Sequence, residues 1–212
     1  VVEVNVEDAV AGFHIEMWAK APELYSVRII SPTGERTAGV RVQQDGREVY
    51  RFVFENTQVI IDYHIVGTAT GDQLIYIRFD RPTRGIWTIE VNGDYSIEGR
   101  YHMWLPITGL IAGDISFIRS NPDTTITMPG NAAAPMTVGG YNAGNDSIYL
   151  NSSRGYTASG LVKPDFAAPG VNVIGPAPGN RFEARSGTSI AAAITAGAAA
   201  LYLEWAVERG YN

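Results

Sequence analysis

Val2, Val4 and Val6 alternate with Glu3 and Asn5 at the start of the chain. Strict alternation turns one face of an extended segment inward and leaves the other to water, the pattern of a half-buried strand. Phe13, Ile15 and Met17 alternate with His14, Glu16 and Trp18 in the same way. Val27 and Ile29 follow, and Ser31-Pro32-Thr33-Gly34 predicts a turn. Asp45-Gly46 predicts a hairpin between strands at 40–42 and 49–54. Further strands are expected at 59–66 and 74–79, around a turn at Thr70-Gly71-Asp72. Residues 85–91 alternate again and stop at Asn92-Gly93-Asp94, and 101–105 make a last strand. Short strands separated by turns at this spacing predict a sandwich or jelly roll over residues 1–118.

The pattern changes near Ser120-Asn121-Pro122. Aromatic and charged residues thin out, and Gly, Ala, Pro and Thr take over. Residues 136–140 and 171–174 are short apolar runs bounded by Gly and Pro, as buried parallel strands would be. One helix is expected, from Thr188 to about Glu208. Its first half is nearly all Ala, so neighbours can approach it closely, and it carries no charged stripe. Such a helix belongs in a crowded core.

Composition narrows the classes. A chain of 212 residues suffices for one large domain or two small ones. The net charge of −6, without a basic block, argues against nucleic acid as a partner. There is no cysteine, hence no disulfide framework and no thiolate metal site. Asp45, Asp72, Asp94 and Asp114 sit singly at turns, without the alternating spacing of a calcium loop. No metal and no cofactor is expected. No apolar run reaches the length of a membrane span, so no membrane partner is expected. The chain opens Val1-Val2-Glu3, without Met or signal peptide, and is read as a piece of something longer.

The candidate chemistry lies at Gly187-Thr188-Ser189-Ile190-Ala191. A serine at a helix start stands beside orphan backbone N–H groups that carry partial positive charge. Such fixed donors can stabilise an oxyanion formed when the serine attacks a carbonyl. The plainer alternative is that Thr188 or Ser189 caps the helix.

Three linked segments bear on that choice. Ser186-Gly187-Thr188-Ser189-Ile190-Ala191 with Thr195-Ala196-Gly197 resembles the active-serine segment of subtilisin-like serine proteases. Ser152-Ser153-Arg154-Gly155 and Lys163-Pro164-Asp165-Phe166-Ala167-Ala168-Pro169-Gly170 resemble the segments that precede it in that family, in the same order. The resemblance implies that Ser189 is the nucleophile and that its own N–H is one oxyanion donor. It implies that Arg185, Ser186, Gly187 and Thr188 lie against the substrate. It also implies a cis bond between Met128 and Pro129.

About 120 residues of β pattern precede these segments. Gly12-Phe13-His14-Ile15-Glu16-Met17-Trp18 and Gly85-Ile86-Trp87-Thr88-Ile89-Glu90-Val91 are similar to segments of the germination-associated subtilases of clostridia, which carry an inserted jelly roll. The implied fold is mixed: a β-sandwich or jelly-roll insert at 1–118, then the C-terminal part of an α/β subtilisin-like domain at 119–212. The implied partner is a protein or peptide substrate. The resemblance also points to an extracellular or spore-associated setting.

The resemblance implies further residues that these segments do not contain. A serine hydroxyl needs a base, and the family's order is Asp, His, then Ser. His14, His64 and His102 all lie in predicted strands, without the family's His-Gly context. Asp165 matches a structural turn, and Asn131 and Asn180 follow Pro-Gly or Gly turns. The catalytic Asp and His and the oxyanion Asn are therefore expected before Val1, in the other half of the catalytic domain. Without that half, the 212-residue chain is expected to be inactive, and to self-associate, swap segments between chains or be disordered after about residue 120. Two other readings remain: a pseudoprotease used as a scaffold or sensor, and a sandwich binding module with Trp18, Trp87 and Trp104 lining a sugar face.

Overall fold

The structure, a computed structural model, describes residues 1–8, 10–39, 45–66, 71–111 and 113–210. It is mostly β-sheet with one long C-terminal helix. The chain divides into two compact units, Val1–Ser120 and Asn121–Asn212.

The first unit has nine strands among the described residues. They are β1 (Val2–Val6), β2 (Gly12–Ala19), β3 (Leu24–Ile30), β4 (Asp45–Phe52), β5 (Thr57–Val66), β6 (Asp72–Asp80), β7 (Gly85–Tyr95), β8 (His102–Trp104) and β9 (Ile115–Phe117). They form a four-stranded sheet, β3-β7-β1-β9, and a five-stranded sheet, β4-β5-β6-β2-β8, antiparallel throughout. The alternation read from the sequence sets which face is buried. Val4, Val6, Val27 and Ile29 from one sheet join Phe13, Ile15, Met17, Ile75 and Ile77 from the other in a single core. Trp87 is wholly buried there, edge-on to Phe52 and Phe79 at 5.1 and 5.3 Å. Its indole N–H donates to the Thr83 carbonyl at 2.9 Å, which satisfies the one polar atom the ring carries inward. Buried polar groups are paired in the same way. The Gln73 amide bonds both the N–H and the C=O of Tyr25, tying β6 to β3.

Some turns lie elsewhere than the sequence suggests. Asp45-Gly46 falls inside β4, and residues 40–42 lie outside the described residues. The β4–β5 hairpin turns instead at residues 53–56, where Asn56 adopts φ 52°. Asparagine tolerates that left-handed conformation because its short side chain bonds locally. Asn92-Gly93-Asp94 does not end its strand; β7 continues to Tyr95, with a register shift opposite Leu24 and Tyr25.

The second unit contains β10 (Val138–Asn142), β11 (Ser147–Ile148), β12 (Phe166–Pro169), β13 (Val173–Ala177), β14 (Arg181–Arg185) and α1 (Thr188–Glu208). β10 pairs in parallel with β12 and antiparallel with β11. The parallel partner is thus 166–169 rather than the expected 171–174; the latter run leads into β13, which hairpins with β14. The turn between them is Pro178-Gly179-Asn180, with Gly179 at φ 84° and Asn180 at φ 55°. α1 packs on β10 and β12. Gly140 and Gly170 make that approach possible: a Cβ on Gly170 would lie 3.1 Å from the Gly187 carbonyl and 3.3 Å from the Gly140 Cα.

By length and composition α1 is long and apolar enough to cross a membrane, against the expectation that no segment is. Of its residues only Ala191 is buried, so the expected place in a crowded core is not seen among the described residues.

Candidate active site

Ser189 stands exposed in the first turn of α1. The N-cap position is Gly187, at φ 161° and ψ 152°, and no side chain caps the helix. The capping alternative for Thr188 and Ser189 therefore fails: both residues already lie inside the helix. The Gly187 carbonyl accepts from Ile190 N at 3.1 Å, while no capping side chain occupies the N–H groups of Thr188 and Ser189. Unmatched donors at a helix start make a partial positive charge next to the Ser189 hydroxyl.

The turn is anchored from below. Gly187 N donates to the Gly170 carbonyl at 2.8 Å, and Gly170 N donates to the Tyr141 carbonyl at 2.9 Å. This chain of bonds fixes the helix start to the C-terminal ends of β10 and β12. Ala191, one turn further on, is fully buried and 3.6 Å from where a Gly170 Cβ would be. Small residues at 140, 170 and 191 thus set the depth at which Ser189 sits.

The four neighbours divide. Arg185 closes β14, exposed, with its guanidinium 2.9 Å from the Glu183 carboxylate. The Ser186 hydroxyl accepts from Asn172 N at 2.9 Å, so it ties the loop before the helix to the loop after β12. Gly187 carries the backbone bond to Gly170. Thr188 lines a pocket of about 180 Å³ together with Thr127, Met128, Pro129, Ser152 and Pro164. The Met128–Pro129 bond in that pocket wall is cis. A second hollow of about 340 Å³ lies between the β13–β14 hairpin and α1, lined by Ile174, Arg185, Ile190 and Ile194 among others.

The preceding segments hold the pocket together. The Ser152 hydroxyl accepts from Gly140 N at 3.0 Å. Lys163 is buried, and its ammonium donates to the Pro135 carbonyl and to Asp165 Oδ2, both at 2.7 Å. Asp165 Oδ2 also accepts from Thr137 N at 2.7 Å. The Lys163 hydrogen bond first, and Thr137 N second, hold the Asp165 carboxyl below the usual carboxylate range. Asp165 is therefore a tie between β12 and the loop before β10, as its Lys-Pro-Asp setting suggests.

No histidine occurs in residues 121–212. All three are on strands of the first unit: His14 stacks on Tyr76, His102 stacks on Trp104, and His64 lies on β5. Burial lowers the pKa of His102. Among the described residues no group of acidic or imidazole side chains could hold a metal ion. Glu183, which pairs with both Arg181 and Arg185, escaped the sequence reading although Phe182 and Ala184 alternate with charged residues, because that alternation spans only the five residues of β14.

The chain is similar to several known proteins. Residues 110–209 match the subtilase family, peptidase S8. The chain is 38% identical to serine protease AprX of Bacillus subtilis (strain 168) over 106 residues, covering 40% of this chain and 24% of that protein. It is 32% identical to C5a peptidase of Streptococcus pyogenes serotype M1 over 93 residues, covering 44% of this chain and 8% of that one. Its fold matches the structure of the Clostridium perfringens CspB protease with a TM-score of 0.89 and 28% identity, covering 99% of this chain and 44% of that chain. The chain thus spans less than half the length of each of these relatives. Residues 110–209 are thus similar to the subtilases, and the chain as a whole is similar to a subtilisin-like protease of the Csp type.

Proposed function

We propose that this chain is the C-terminal part of a subtilisin-like serine endopeptidase, with Ser189 as its nucleophile. The observation that carries the reading is an exposed serine in the first turn of a helix whose leading N–H groups no side chain caps. Ser189 attacks the scissile carbonyl, and its own N–H donates to the oxyanion that forms. Thr188 shapes the pocket beside it. Arg185 and Ser186 lie on the approach to the helix, and Gly187 keeps the turn open enough for a substrate backbone.

The base, the acid and the second oxyanion donor come from residues outside this chain. Two facts support that assignment: residues 121–212 hold no histidine, and the chain covers 44% of the CspB chain it resembles. Lys163 is no substitute, because its ammonium is engaged by Asp165 and the Pro135 carbonyl. Residues 1–118 form a jelly roll inserted before the final segment of the catalytic domain. The exposed apolar side chains of α1, among them Leu201, Leu203 and Val207, are covered in the longer protein by the rest of that domain. By itself the 212-residue chain is inactive and self-associates through this helix.

A fluorophosphonate probe tests the reading. The longer protein should label at Ser189 and lose labelling on Ser189→Ala, while the 212-residue chain stays unlabelled. An unlabelled longer protein that still folds would favour a scaffold without catalysis. Labelling of the monomeric 212-residue chain would mean that a base exists within it.

A further inference from the structure

The outer face of the five-stranded sheet carries side chains that the core does not explain. His14, Glu16 and Trp18 on β2, Tyr76 and Arg78 on β6, and His102 and Trp104 on β8 alternate with buried neighbours and so point away from the core. Along these three strands the outward positions hold five rings and one aliphatic residue, Leu74, among the described residues. Register gathers them into one patch. Glu16 lies opposite both Tyr76 and Trp104, so a single row crosses three strands with an aromatic at each end. Trp18 lies opposite Leu74 and His102.

The rings are paired. His102 stacks on Trp104 at 5.2 Å with 11° between planes, and His14 on Tyr76 at 4.9 Å with 26°. Near-parallel rings at such centroid distances are offset rather than fully face to face. Tyr76 and Trp104 stand two strand spacings apart, about 10 Å.

Both guanidinium groups on this face stand beside carboxylates. Arg47 pairs with Asp62 at 2.5 Å, and Arg78 lies 3.7 Å from Asp80. Glu16 Oε2 accepts from the Trp18 indole N–H at 3.0 Å. Burial favours the uncharged form of His102. Two guanidinium groups against at least three carboxylates leave the face weakly negative, so it does not attract a polyanion. It offers ring surface interrupted by donors and acceptors, which is the complement of a sugar. A pyranose presents an apolar C–H face edged by hydroxyl groups.

We propose that this face binds a neutral polysaccharide, with sugar rings resting on Trp104 and Tyr76 and hydroxyls meeting Glu16, Arg78 and Asp80. An extended β-linked chain returns the same ring face every second sugar, a repeat comparable with two strand spacings. The site is separate from the serine reading and does not depend on it.

The test uses the 212-residue chain carrying Trp205→Phe, so that Trp18 and Trp104 are the accessible indoles and buried Trp87 reports on folding. Cellohexaose, chitohexaose and xylohexaose are titrated against acrylamide quenching. At least one hexasaccharide should protect the indole emission, and Trp104→Ala and Tyr76→Ala should each weaken binding about tenfold. An unchanged Trp87 emission shows that a variant is folded, and protection in the parent needs no further variant. Absence of protection by all three sugars overturns the proposal. So does equal binding by folded Trp104→Ala and Tyr76→Ala. Binding by the 212-residue chain but not by the longer protein overturns it as well, because another part of the protein then occupies the face.

Discussion

The two units of this chain bury their apolar residues very differently. Residues 1–120 enclose a core of large side chains in which Trp87, Phe79, Ile15, Met17, Ile61 and Ile75 are all essentially inaccessible to water. Residues 121–212 bury only two hydrophobic residues among those described, Ala168 and Ala191. Their large apolar side chains lie outside: Phe166, Ile174, Phe182 and Leu201 are each at least half exposed. Both units are rich in β-structure and each has its hydrogen-bonded ladders. What separates them is closure. Two sheets facing each other can satisfy their inner faces without help. A three-stranded sheet and one helix that is apolar all round cannot. Hydrogen bonding gives the second unit its local shape, and burial gives the first unit its stability.

The strongest way to break this comparison is in the first core. Trp87→Ala should cost about 3–5 kcal/mol, because it removes a fully buried ring that touches both Phe52 and Phe79. Urea unfolding followed by circular dichroism measures it. A cost below about 1 kcal/mol would mean that the core is looser than its burial indicates.

The second unit has its own sensitive point, which is steric rather than hydrophobic. Gly170→Ala places a Cβ 3.1 Å from the Gly187 carbonyl and 3.3 Å from the Gly140 Cα. Overpacking of this kind costs about 1–3 kcal/mol. In the longer protein it should slow fluorophosphonate labelling more than Gly175→Ala does, since nothing lies near a Cβ at Gly175. Equal labelling rates would show that the depth of the helix start does not matter to Ser189.

Acid sharpens the contrast further. Glu23 accepts from Glu98 N, Ile97 N and the Tyr25 hydroxyl, and these bonds, Glu98 N foremost, push its pKa down to about 2 from 4.5. The folded carboxyl holds its proton less tightly than the unfolded one, so this stability is present above about pH 4.5 and is lost as the pH falls toward 2. Glu23→Gln should flatten the pH dependence of the first unit's stability in that window. An unchanged slope would assign the acid response to other carboxylates.

The smallest effect on stability belongs to the helix surface. Leu201→Ser and Leu203→Ser should each change unfolding by no more than about 0.5 kcal/mol, because both residues are exposed. Light scattering should nevertheless show less self-association. A large loss of stability would place these residues in a core.

Much of the fold was legible because alternation and burial are the same fact seen twice. Val4 and Val6, and Phe13, Ile15 and Met17, are inward in sequence pattern and inward in the structure. The helix was legible because Ala-rich sequence between Gly187 and Gly210 admits little else. Turns were less legible. Asp45-Gly46 has hairpin chemistry yet lies within β4, where pairing along all of β5 outweighs a local preference. The parallel partner of β10 was also missed, since parallel pairing needs no sequence-adjacent turn to signal it.

At the candidate site, the sequence alone determined the residue types: a serine at a helix start, glycines around it, and a Lys-Pro-Asp turn upstream. Tertiary structure decided what those residues do locally. It made Gly187 the cap position, turned the Ser186 hydroxyl toward Asn172 N, and left Ser189 exposed above the ends of β10 and β12. It also drew Trp87 into the core while leaving Trp18 and Trp104 on an outer sheet face. Periodicity sorts inward from outward along one strand. Which strands lie side by side depends on pairings between segments as much as 113 residues apart, such as Val4 of β1 with Phe117 of β9, and those are set by the closing of the whole core.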